Sequence, residues 1–181
     1  IFYKKDGVEG LSEKAFDFIN KILSHSNELC LVLNSSVNSY RRLDPAYEAP
    51  NEIKASAIDR GSMIRIPLAN ERSARIEVRS VAPDANPYLL LFSLISVGLF
   101  GEAKNMEDKT YLPDNIYTAL DHFMMNGSIM KKIMGEEAWG KYAYLKTNTA
   151  NRCPKALGTT VKPAEIIYHH EVYTQSLWDT F

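Results

Sequence analysis

From Gly10 to Asn34, apolar side chains fall at Leu11, Ala15, Phe16, Ile19, Ile22, Leu23, Leu29, Cys30 and Leu33. That three- and four-residue spacing predicts a helix, with Ser12 placed as its N-cap. Asn34-Ser35-Ser36 ends the pattern. The period then changes to two. In SMIRIPL, Ile64, Ile66 and Leu68 alternate with Met63 and Arg65; in ARIEVRS, Ile76 and Val78 alternate with Arg75, Glu77 and Arg79. Two strands are predicted, one row facing a core and the charged row facing away, with Ala69 to Ser73 as a short hairpin connection.

Pro83 to Asn86 reads as a turn, Asn86 as an N-cap and Pro87 as the first helical residue. The helix PYLLLFSLISVGLFG has no charge from Pro87 to Phe100. It is too short to cross a bilayer, and its all-round apolar character predicts full burial. A polar loop, 102–113, precedes helical patterns at 114–126, 128–134 and 136–153. Pro154 to Lys162 is irregular, and Pro163 opens a last helix. No repeat or linker divides the chain. The expected class is α+β: one domain in which a small antiparallel sheet element is wrapped by many helices.

With 181 residues, the chain can bury a real core. A net charge of −1 gives no reason to expect a nucleic-acid or anionic-membrane partner. Cys30 and Cys153 have no metal or redox spacing, which fits two reduced thiols in a cytoplasmic protein. The first residue is Ile1, and IFYKKDG lacks the layout of a signal peptide, so the sequence reads as a piece of a longer chain.

Charge distribution is more informative than its sum. Seven of the eight arginines lie between Arg41 and Arg79, while Lys54 is the one lysine in that window. The guanidinium fork matches carboxylate and phosphate oxygens two at a time, so this clustering suits an anion-binding surface. Arg75, Glu77 and Arg79 equally fit a solvated strand face with cross-strand ion pairs, each worth under about 1 kcal/mol. The pattern leaves both open. Glu77 between two arginines would also suit a hard cation bridging a nucleotide phosphate, although one carboxylate is not a metal site.

Three segments sharpen this. NSYRRLDPAYEAP, DRGSMIRIP and RIEVRSVAPDANPYL resemble three consecutive signatures of the glutamine synthetase family, in the same order and with nearly the same spacing. The resemblance runs from about Gly10 to Glu102. It implies ATP-dependent ligation of ammonia to glutamate through a γ-glutamyl phosphate, with ATP as co-substrate and Mg2+ or Mn2+ as cofactor. Position by position, it implies that Arg42 and Arg79 bind glutamate carboxylates, and that Arg60 and Arg65 face the ATP phosphates. Glu77 would ligate a metal. Glu48 would sit on a flap that closes over glutamate and receives a proton from the ammonium adduct. Other members of the family joining glutamate to a different amine, or a non-catalytic homologue, are the alternatives.

The departures are Ala46 for the family glycine before the flap tyrosine, and Asp59 and Gly61 around Arg60. The family's HxHxS segment, its remaining metal-binding glutamates and its N-terminal β-grasp domain would lie upstream. The resemblance therefore implies the C-terminal part of a catalytic domain, inactive alone. The whole would be a homo-oligomer of the dodecameric double-ring type, with its C-terminal helix reaching a neighbouring ring. His25, His122, His169 and His170 show no metal spacing and read as structural or surface residues. Tyr117, Phe123, Trp139, Tyr142 and Tyr144 read as core aromatics, with subunit contact as the alternative.

Overall fold

The computed structural model describes residues 2–43, 49–68, 70–105 and 109–151. Within them run α1 (Glu13–Ser24), α2 (Ser26–Leu33), a 3-10 helix (Val37–Leu43), β1 (Glu52–Ser56), β2 (Ser62–Arg65), β3 (Glu77–Val78), α3 (Pro87–Phe100), α4 (Ile116–Met124), α5 (Ile129–Met134) and α6 (Glu136–Asn151). The α+β class is borne out. The expected last helix from Pro163, Cys153, His169 and His170 lie outside the described residues.

Ser12 caps α1 as expected, its Oγ accepting from Ala15 N–H. The single helix expected from Gly10 to Asn34 is two. At His25 the backbone leaves helical geometry (φ −117°, ψ 17°), and α2 starts at Ser26. The turn is held by side chains: His25 Nδ1 meets Glu28 Oε1 at 2.9 Å, and the other Glu28 oxygen accepts from Ile129 N–H at the start of α5. The break suits the sequence of α2. Ser26 and every residue from Glu28 to Leu33 are buried, more than one face of a straight amphipathic helix can hide.

The three strands among the described residues form one sheet in the order β1-β2-β3. The β2–β3 pair is antiparallel, with Ile64 opposite Val78 and Arg65 opposite Glu77. The expected antiparallel sheet is corrected by β1, which runs parallel to β2. Parallel neighbours normally need a long crossover. Here β1 is five residues, or roughly 16 Å. The connection 57–61 can reach about that far when extended. Ser56 Oγ accepts from Ile58 and Asp59 N–H, and Asp59 Oδ1 from Gly61 N–H, which gives that connection its shape. The hairpin connection is longer than expected, running from Ile66 to Ala74 and beyond, because only two residues of the ARIEVRS segment pair as strand. Met63 is fully buried and Leu68 is exposed, against the expected alternation: β2 is covered on both faces, and Leu68 lies past its end.

The core joins α1, α2 and β2 to α4 and α5 through Ile19, Ile22, Leu29, Leu33, Ile64, Phe123 and Met130. Each such side chain stabilises the fold by about 1.5–3 kcal/mol when fully buried. Phe123 packs against Trp139 (6.2 Å between centroids) and Tyr142 (5.5 Å). The polar ends of these rings find backbone: Trp139 Nε1 donates to Phe123 O and Tyr142 Oη to Leu31 O. Tyr144, by contrast, is exposed.

The expectation for α3 is corrected most clearly. Asn86 caps it through Tyr88 and Leu89 N–H as predicted, but the helix is not fully buried. Ser93, Val97 and Gly98 face inward, while Tyr88, Leu91, Phe92, Ile95, Leu99 and Phe100 are exposed. Small residues let α3 approach α1 closely, so the contact face is narrow. A helix apolar all round carries no moment to say which face is covered. No helix among the described residues is long and apolar enough to cross a membrane.

Candidate functional site

Sheet register brings the arginines together. Arg65 ends β2, Arg60 sits in the connection before it, and Arg79 follows β3, held in line by its own N–H to Met63 O at 2.8 Å. With Ala57, Ile58 and Asp59, these three arginines line one cavity of about 540 Å³. Their distance in sequence is unimportant once β2 and β3 pair.

Two further bonds order this cluster. Arg79 Nη1 donates to Arg60 O at 2.8 Å. Arg42, in the 3-10 helix, donates Nη1 to Val81 O and Nη2 to Arg79 O (3.4 Å). The segment bearing Arg42 is thereby fastened to the segment after β3. Five of the six residues singled out in the sequence, Arg42, Arg60, Arg65, Glu77 and Arg79, belong to one connected region. Glu48 and Ala46 lie outside the described residues.

Glu77 faces both neighbours on its strand surface. Its Oε1 accepts from Arg75 Nε (3.0 Å) and Nη2 (2.8 Å), and its Oε2 accepts from Arg65 Nη1 (3.3 Å). The side chain is 30% exposed. Among the described residues, no three His, Cys, Asp or Glu side chains gather to hold a metal ion. Glu77 is a single carboxylate with guanidinium partners, so the described residues alone do not fit a divalent-metal centre.

Asp59, the acid beside Arg60, has its charge directed elsewhere. Lys54 Nζ lies 2.7 Å from Oδ2, and Gly61 N–H donates to Oδ1 at 2.7 Å. Lys54, then the Gly61 N–H, hold this carboxyl below its ordinary range. Lys54 also meets Glu52 at 2.9 Å, and Lys109 meets Glu52 at 3.4 Å. Sequence reasoning gave Lys54 no role. Its signal was its position as the lone lysine in the arginine window.

The buried groups nearby are structural. Burial pushes the Cys30 thiol up to about 12, which leaves it protonated and inert. For Glu28, burial would raise the carboxyl, but the His25 hydrogen bond and Ile129 N–H outweigh it and bring it below the ordinary value. His25 is thus accounted for by packing, in line with the sequence reading.

The described residues thus form an α+β protein with an arginine-lined cavity on a short mixed sheet. The sequence profile of the glutamine synthetase catalytic domain matches residues 1–165, and the chain belongs to that family. It is 44% identical over 111 residues to a glutamine synthetase of Thermococcus kodakarensis, covering 61% of this chain and 25% of that protein. The glutamine synthetase of Methanocaldococcus jannaschii is 34% identical over 166 residues, covering 80% and 36%. That of Clostridium saccharobutylicum is 32% identical over 161 residues, covering 78% and 36%. The chain therefore spans between a quarter and just over a third of the length of these relatives.

Proposed function

We propose that this chain supplies the glutamate- and phosphate-facing part of a glutamate–ammonia ligase, as the C-terminal portion of its catalytic domain. The observation that carries this reading is the convergence of Arg60, Arg65 and Arg79 on one cavity, with the Arg42 segment fastened beside it. The reaction handles three anions at once: two carboxylates and a triphosphate. A γ-carboxylate oxygen attacks the γ-phosphorus of ATP, the bond to ADP breaks, and an acyl phosphate forms. Ammonia then adds to the acyl carbon, phosphate leaves with the former carboxylate oxygen, and a proton is lost.

In this proposal Arg42 and Arg79 hold the glutamate carboxylates. Arg60 and Arg65 stabilise charge on the transferring phosphoryl group, where preorganised cations act most strongly. Glu48 serves the flap by accepting the ammonium proton. Glu77 would help hold Mg2+ or Mn2+, which would offset phosphate charge, only together with ligands from outside the described residues. The whole enzyme is proposed to be cytoplasmic and a homo-oligomer of the double-ring type, which light scattering would test.

The deciding experiment is isotopic. With glutamate labelled by 18O in its γ-carboxylate, the whole enzyme should pass one label into phosphate as glutamine forms. Phosphate free of label would end the acyl-phosphate reading. Other amines offered in place of ammonia would reveal a different acceptor. Residues 1–181 purified alone should form no glutamine, and detectable product would show that they need no further ligands.

A further inference from the structure

The two proposed glutamate arginines stand on different segments. Arg42 belongs to Val37–Leu43, whereas Arg79 leads into the turn before α3. Besides Arg42, the side chain of Asp84 fastens these segments. Asp84 accepts from Ser39 Oγ with both oxygens, Oδ1 at 2.9 Å and Oδ2 at 3.2 Å. Ser39 is buried, and its Oγ is also fixed by Ser36, through the hydroxyl at 2.9 Å and the N–H at 3.2 Å. Ser35 Oγ donates to Asp84 O at 3.3 Å, and Ala82 N–H donates to Leu33 O at 3.0 Å.

A cation supports the same point from α6. Lys146 Nζ donates to Ser35 O at 2.8 Å and lies 5.5 Å from the centre of the Tyr142 ring. Lys146 is buried, which lowers its pKa, while the charge of Asp84 acts in the opposite sense. The carboxylate thus holds a hydroxyl three residues before Arg42, and Asp84 lines one cavity with Lys146.

We infer that Asp84 is a positioning residue: it clamps the segment bearing Arg42 to the one following Arg79, and so fixes the spacing of the two guanidiniums. This rests on the glutamate-binding reading above. A substrate with two carboxylates on one short skeleton is bound best by cations whose separation is set beforehand.

The test uses the whole enzyme with Asp84→Ala, Asp84→Asn and Ser39→Ala. Asp84→Ala should raise the glutamate KM roughly tenfold while kcat and the ATP KM stay within about twofold, the pattern of glutamate binding lost equally from ground and transition state. Asp84→Asn, whose amide oxygen still accepts from Ser39, should recover most of the effect, and Ser39→Ala should follow Asp84→Ala. An unchanged glutamate KM overturns the proposal. So does a loss shared equally by both KM values and kcat that tracks the melting temperature and is not rescued by Asn. If Asp84→Ala does not fold, Ser39→Ala is read in its place, with Asp84→Asn as the variant that should keep a near-normal glutamate KM. Wild-type enzyme without glutamate-dependent ADP release would defeat the glutamate reading itself. The clamp is then judged by hydrogen exchange across 79–84: faster exchange confined there in the variants supports it, and unchanged exchange rejects it.

Discussion

Arg79 reaches back across the sheet to donate Nη1 to the carbonyl oxygen of Arg60, 2.8 Å away. One donor of its fork is spent on the backbone that carries a second arginine. Arg79 therefore braces the backbone that carries Arg60, and removing the Arg79 side chain releases it. In the whole enzyme, Arg60→Ala should lower turnover by about 10²–10³, as for other preorganised donors. Arg79→Ala should cost a similar factor, and the double variant should cost much less than the product. Near-normal turnover in Arg60→Ala, or strict additivity, would refute this coupling.

Glu77 separates two roles that a static contact cannot. Its pairs with Arg65 and Arg75 are solvent-exposed and are worth under about 1 kcal/mol. Glu77→Gln should therefore melt within about 4 °C of wild type if those pairs are its only structural contribution. If it also ligates a metal, activity should fall at least about 100-fold and recover partly at high Mg2+. Small losses of both stability and activity would remove Glu77 from the metal proposal.

Glu28 gives the fold a dependence on acid. Its folded pKa lies below the ordinary 4.5. Its contribution is complete above the ordinary value and is lost as pH falls through the lower folded one. Glu28→Gln should destabilise the chain by about 1–3 kcal/mol at neutral pH. Urea titrations should show that gap narrowing below about pH 4. A gap constant from pH 7 to pH 3 would mean that the charge is irrelevant.

Gly98 sets how closely α3 approaches α1. A Cβ at this position would lie 2.1 Å from Phe18 Cε2 and 2.4 Å from two further atoms of the ring. Gly98→Ala should cost about 1–3 kcal/mol by overpacking, despite its better helix propensity. Denaturant melts check this, and a stabilised variant would show that Phe18 can turn aside freely.

The helices were legible where local chemistry marks their ends. Ser12 and Asn86 accept from the backbone N–H groups that their positions implied, and α4, α5 and α6 fall within the ranges their periodicity predicted. The break at His25 was not legible, because it depends on Glu28 reaching Ile129, far along the chain. β1 was missed for a similar reason. EIKAS is too short to show a period, and its parallel sense comes from its neighbour rather than from its own residues.

For the candidate site, the residue types were visible and their arrangement was not. Arginine clustering and the three signatures singled out Arg42, Arg60, Arg65, Glu77 and Arg79. Neither Lys54 nor Asp84 carries a local signal for what it holds: Asp59 in one case and Ser39 in the other. Such partners are chosen by geometry between distant segments, which pattern reading does not supply.

By itself, then, the sequence determined the helix caps, the period of each segment, the family signatures and the concentration of guanidinium charge, because each is a property of neighbouring residues. Tertiary structure alone decided that α3 shows Phe100 and Leu91 outward, that Asp59 answers to Lys54, and that Arg79 braces Arg60. Those outcomes depend on which surfaces meet when the chain closes on itself. They are set by packing and by hydrogen bonds between segments that are far apart in the chain.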